Sequence, residues 1–175
     1  QGASTISQQL IRSTFLTRKK TLERKVQELI LTLELERRYS KDEIFGFYLN
    51  QIPLGANAYG VGAGALTYFG KKAGALTLVE SATLAAMIKA PSYYSPYGTH
   101  VEELLARKDY VLSRMVKEGY LSKEEAGSAG KKKVVFAHPS LGLRAPHFVL
   151  WVLDELLQTY GEDFVRENGL KVITS

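Results

Sequence analysis

Cysteine is absent from the 175 residues, which excludes disulfides and thiolate metal sites and leaves the redox compartment open. No run of about eighteen apolar residues occurs, so no segment reads as a membrane-spanning helix. The three histidines, His100, His138 and His147, show no metal-ligand spacing, and no histidine metal site is expected. The chain is basic, but it carries neither an aromatic–basic repeat nor a reader motif, so nucleic acid is not an expected partner. Gly60, Gly62 and Gly64 do not fit G-x-G-x-x-G and follow no strand, which argues against a dinucleotide site. Acid is nearly missing from one stretch. Between Arg12 and Lys25, six bases face one acid, Glu23, and the resulting +5 equals the formal charge of the whole chain.

What is present is ordinary for a globular protein, with 45% apolar and 23% charged residues and enough length for one domain with a core. The pattern is mainly helical. Thr5 with Gln8 forms a capping box for a helix over about Ile6–Phe15. Leu22, Val26, Leu29, Ile30 and Leu33 recur at helical spacing and predict a buried stripe on a helix over Leu22–Arg38. Ser40 with Glu43 caps the next helix, which ends near Asn50–Gln51 because Pro53 forbids simple continuation. Gly55-Ala56-Asn57 reads as a loop, and Tyr59–Phe69 as a helix closed by Gly70. Thr77 with Glu80 makes a third capping box, which favours a capping role for Glu80 over a catalytic one. Tyr93, Tyr94 and Tyr97 read as packing residues. A charged amphipathic helix follows over Val101–Lys117, closed by Gly119, and a short one starts at Ser122. The composition shift at Gly127–Lys133 sets a boundary between a domain over 1–126 and a segment over 127–175. That segment should hold a helix over His147–Tyr160 and a strand at Leu170–Thr174, a short α/β linker.

The basic stretch suits an anionic ligand. A helix N-terminus presents free N–H groups, and Arg12, Arg18, Lys19, Lys20, Arg24 and Lys25 add charge-assisted donors. Phe15 and Leu16 among these bases also suit an apolar wedge at an anionic membrane surface. The bland alternative is a solvated basic face. Glu28 lies four residues after Arg24 and three after Lys25. Read from spacing alone it is an exposed ion pair contributing about 0.3–0.5 kcal/mol.

GASTISQQL and RKVQE resemble two consecutive motifs of the peptidoglycan glycosyltransferases of family 51, found in bifunctional class A penicillin-binding proteins. FYLNQIPLGANAYGVGAGALTYFGK and LTLVESATLAAMIKAP resemble the fourth and fifth motifs, in the same order. The resemblance implies a lysozyme-like α-helical domain. It implies inverting transfer from a growing lipid-linked glycan strand to lipid II, with a β-1,4 bond formed and undecaprenyl pyrophosphate released. It places the family's third-motif glutamate at Glu28 as a catalytic residue. Substrate contacts fall at Ser4, Thr5, Gln8, Gln9, Arg12, Ser13, Lys20, Arg24, Lys25 and Asn50. A carboxylate cannot itself stabilise a departing pyrophosphate, so Glu28 is expected to orient Arg24 and Lys25 or to hold a divalent cation, magnesium or manganese. No acidic residue matches the first-motif glutamate, which is expected upstream of Gln1, so the chain reads as a fragment lacking its general base.

Some positions depart from the family pattern. Ser13 stands where Asn is common, Arg12 where Lys is, Lys20 where Arg is, and Pro53 where Tyr is. APHFVLWVLDELL and NGLKVITS resemble the linker toward a transpeptidase, which the chain lacks. The expected location is the extracytoplasmic face of the cell membrane, with other cell-wall synthesis proteins as further partners. Two rival readings remain. One is a lysozyme-like glycan hydrolase, which needs no pyrophosphate clamp. The other is a non-catalytic module docking on anionic lipid.

Overall fold

The computed structural model describes residues 4–14, 21–137, 146–167 and 172–173. It divides into two compact units, Gln1–Pro139 and Ser140–Ser175. Among the described residues there is no strand, only an isolated bridge between Pro53 and Tyr59, and the architecture is mainly α. The first unit holds α1 (Ile6–Thr14), α2 (Leu22–Arg38), α3 (Lys41–Gln51), α4 (Gly60–Phe69), α5 (Leu78–Met87), α6 (Val101–Lys117) and α7 (Lys123–Lys131). The second holds α8 (Pro146–Tyr160) and α9 (Glu162–Glu167), which pack on each other. Most of the expected strand at Leu170–Thr174 lies outside the described residues. Gly127–Lys133, expected as a boundary, forms the second half of α7 and the two residues after it.

Local chemistry accounts for the helix ends. Thr5, Ser40, Thr77 and Ser122 each accept the backbone N–H of the residue three positions on, where a Gln or Glu reaches back to the capping residue's own N–H. Thr21 caps α2 by accepting from the Arg24 N–H at 3.2 Å. Gly70 closes α4 in the left-handed region at φ 65°. Glu80 caps α5 as expected, and it is also bridged by Lys71 Nζ at 2.7 Å.

The core of the first unit is built where α3, α4, α5 and α6 meet. Ile44, Tyr48 and Ile52 repeat every four residues and face Leu54, Tyr68, Leu84 and Leu104. Tyr68 is fully buried and donates to the Leu54 carbonyl at 2.7 Å, which pins the loop between α3 and α4. Burial pushes its phenol up to about 12, aided by nearby Tyr97, so it stays a donor at neutral pH. Beyond α7, an extended strap latches onto the end of α4. The Ala137 N–H donates to the Tyr68 carbonyl at 2.8 Å, and Phe136 stacks on Phe69. Lys108 of α6 is buried, paired with Asp109 at 2.8 Å, and donates to the Gly130 carbonyl at 3.3 Å, which ties down α7.

One expectation fails in α2. Leu22, Val26, Leu29, Ile30 and Leu33 do not form a buried stripe. Leu22 is 88% exposed and the other four are between 52% and 60% exposed. The helix instead turns Glu28 and Thr32 inward, with Leu35 against the core. Periodicity identifies an apolar face, but it carries no information on which face the neighbouring helices cover.

The loop between α3 and α4 is strained. Gly55, Ala56 and Asn57 are three consecutive left-handed residues, with φ of 81°, 48° and 57°. Alanine in this region costs about 1–2 kcal/mol, and Ala56 is exposed, so little burial offsets that cost. Ala56→Gly is therefore expected to stabilise the chain by about 0.5–1 kcal/mol, after allowing for the added freedom of the unfolded state. A urea midpoint that rises with unchanged slope is the expected reading.

Candidate active site

Glu28 is the buried acid of α2, a helix packed among its neighbours. α1 packs against both α2 and α3, and α2 also touches α3. The Glu28 side chain is 2% exposed, and its Oε1 accepts from Lys25 Nζ at 2.6 Å. The expectation of an exposed pair is thus corrected for the acid. An isolated carboxylate at this depth is costly, and Lys25 offsets the charge while keeping its own stem more than half exposed. Thr32 donates to the Glu28 backbone carbonyl at 2.6 Å and adds no second contact to the carboxylate. One turn before Glu28, the Nε of Arg24 is buried with no hydrogen-bond partner among the described residues. Buried charged donors rarely stay unpaired, because desolvation is then uncompensated.

The expected contact residues separate into groups. Thr5 and Gln8 are spent on the α1 cap. Gln9 is held at both ends of its amide, with Nε2 donating to the Ser4 carbonyl at 3.3 Å and Oε1 accepting from Tyr48 at 3.3 Å. Tyr48 was not among the expected contact residues, although it lies in the FYLNQ start of the fourth-motif stretch, four residues after Ile44. Ser13 donates to the Leu10 carbonyl at 3.0 Å, and Arg12 projects from the last turn of α1, exposed. Asn50 donates to the Gly46 carbonyl and borders a cleft of about 280 Å³ with Leu10, Thr14, Leu35, Tyr39 and Phe47. Lys20 lies outside the described residues, as do Phe15, Leu16, Arg18 and Lys19.

Residues 1–116 match the transglycosylase family. The chain belongs to that family. Among curated relatives, penicillin-binding protein 1A of Aquifex aeolicus is 42% identical over the whole chain, which covers 24% of that protein. The proteins of the same name from Haemophilus influenzae and Escherichia coli are 44% and 41% identical, again over the whole chain and 21% of each relative. The chain therefore spans between a fifth and a quarter of the length of these relatives. The crystal structure of penicillin-binding protein 1A from Haemophilus influenzae superposes on 92% of the chain and 20% of its own, at 32% identity and a TM-score of 0.57. In this transglycosylase chain the family match takes in α1 to α6, and the compact unit extends beyond it to Pro139.

The resemblance raises a divalent cation at Glu28, and the side chains around that residue bear on it. Among the described residues no three His, Cys, Asp or Glu side chains cluster for a metal. Glu28 is engaged by Lys25 and neighboured by Arg24, a donor set that repels cations and does not fit a protein-held one. Among the described residues no helix is long and apolar enough to cross a membrane.

Proposed function

We propose that this chain is the glycosyltransferase portion of a class A penicillin-binding protein, acting on lipid II at the extracytoplasmic membrane surface. The observation that carries the reading is the buried face of α2, where Glu28 is fixed by Lys25 and Arg24 holds a buried donor with no acceptor among the described residues. A phosphate oxygen supplies what that donor lacks. In an inverting transfer the sugar hydroxyl of lipid II attacks the anomeric carbon of the growing strand. The bond to the pyrophosphate oxygen breaks, and both bond electrons leave with undecaprenyl pyrophosphate. Arg24, Lys25 and Arg12 meet that developing charge, and Glu28 keeps the Lys25 ammonium aimed. The acceptor proton goes to a separate carboxylate, the family's first-motif glutamate, which no acidic residue here matches. The 175 residues alone should therefore bind lipid II without polymerising it. Neither rival reading is favoured by the comparisons.

Binding separates the three readings. Lipid II and undecaprenyl pyrophosphate should both bind the chain, and binding should weaken as salt rises. A neutral N-acetylglucosamine oligomer should not compete. Binding that follows vesicle charge alone, whether or not pyrophosphate is present, returns the chain to a docking module. Binding and shortening of the neutral oligomer points to a hydrolase.

A further inference from the structure

Tyr48 sits in the core, 7% exposed, in register with Ile44 and Ile52 on the inner face of α3. A buried tyrosine hydroxyl generally needs a polar partner. This one reaches across to α1 and donates to Gln9 Oε1, 39 residues away in sequence. The other end of the same amide donates to the Ser4 carbonyl. That second bond fixes which end is oxygen, because a flipped amide would set oxygen against oxygen. Among the described residues one N–H and one oxygen lone pair of Gln9 have no partner, and the two hydrogen bonds fix the direction of both. Burial raises the Tyr48 phenol above its usual range, which keeps it a donor.

We propose that Tyr48 is a positioning residue, whose hydroxyl reaches from α3 to α1 and holds the Gln9 side-chain amide in the orientation that meets lipid II. The proposal rests on the reading of Gln9 as a substrate contact. The rival is a hydrogen bond that merely joins two helices. The two differ in coupling. A positioning role acts only through Gln9, whereas a packing role persists when Gln9 is gone.

The test is a double-variant cycle on the 175-residue chain, with lipid II in detergent micelles as the probe and unfolding midpoints measured alongside. Gln9→Ala is expected to weaken binding about tenfold, and Tyr48→Phe about three- to tenfold, the scale of one hydrogen bond. The pair together should bind no more weakly than Gln9→Ala alone. Unchanged affinity in Tyr48→Phe, or losses that multiply in the double variant, overturns the proposal. Unchanged affinity in Gln9→Ala removes the premise that Gln9 touches substrate, and the proposal with it. Failure of the unaltered chain to bind lipid II is a separate result that sinks the proposed function first. If Tyr48→Phe does not fold, the Gln9 side-chain amide in the ligand-free chain decides by nuclear relaxation. An amide as rigid as the backbone, with an order parameter of about 0.85, supports the pin, and a freely moving one overturns it.

Discussion

In a class A protein carrying this chain, Glu28→Gln lowers lipid II polymerisation at least about a hundredfold, the scale of losing one preorganised charge element. The substitution keeps shape and removes charge. Lys25 then exchanges a charge-assisted bond for a weaker neutral one to the amide oxygen and is held less firmly, and the negative charge beside the buried Arg24 Nε is gone. The fold should change little. Breaking a buried pair is expensive when it strands a buried charge, but the Lys25 side chain is 56% exposed and can turn to water. A stability change within about 1 kcal/mol, set beside a hundredfold loss of polymer in single-turnover assays, is the expected pair of results. Near-normal turnover would make Glu28 a structural acid.

Gly60→Ala has the largest expected effect on folding. Gly60 opens α4 at φ 80°, and its N–H donates to the Ile52 carbonyl at 2.8 Å. A Cβ there would stand 2.5 Å from the backbone oxygen of Asn50 and 2.8 Å from its carbonyl carbon. Backbone atoms cannot swing aside as a side-chain tip can. The positive φ costs about 1–2 kcal/mol by itself, and relief of the clash must move α3 or α4, so the total should exceed about 3 kcal/mol. Because the Asn50 backbone carbonyl must shift, the cleft that Asn50 borders deforms too. Chemical denaturation and the Asn50 backbone amide resonance report the two effects separately. Wild-type values for both would show that the loop between α3 and α4 is more compliant than its geometry implies.

Much of this architecture was legible in the sequence because helix ends are set by short-range chemistry. The boxes at Thr5, Ser40, Thr77 and Ser122, and the left-handed Gly70, involve residues within five positions of each other. The sequence reading holds no counterpart of the short helix α9, although Gly161 followed by the first-turn acids Glu162 and Asp163 is a start signal. What sequence could not give was which face of α2 lies inward. Leu22 and Leu29 carry the helical period, yet the side that α1 and α3 cover carries Glu28 and Thr32. A helix that buries its polar face breaks the local rule, and such breaks concentrate where function overrides packing. The pairing of Tyr48 with Gln9 was equally hidden, since neither residue type signals a partner 39 positions away.

The strap after α7 bears on where the chain can be cut. The family match stops at 116, so Lys117 is an inviting place to shorten the gene product. Shortening there removes Ala129, which covers Leu112, and the Gly130 carbonyl that receives the buried Lys108 ammonium. It also strips Phe136 from Phe69 and leaves the Tyr68 carbonyl without its donor from Ala137. The family match and the compact unit thus have different ends, and a product cut at Lys117 is expected to be less stable than one that runs through Ala137.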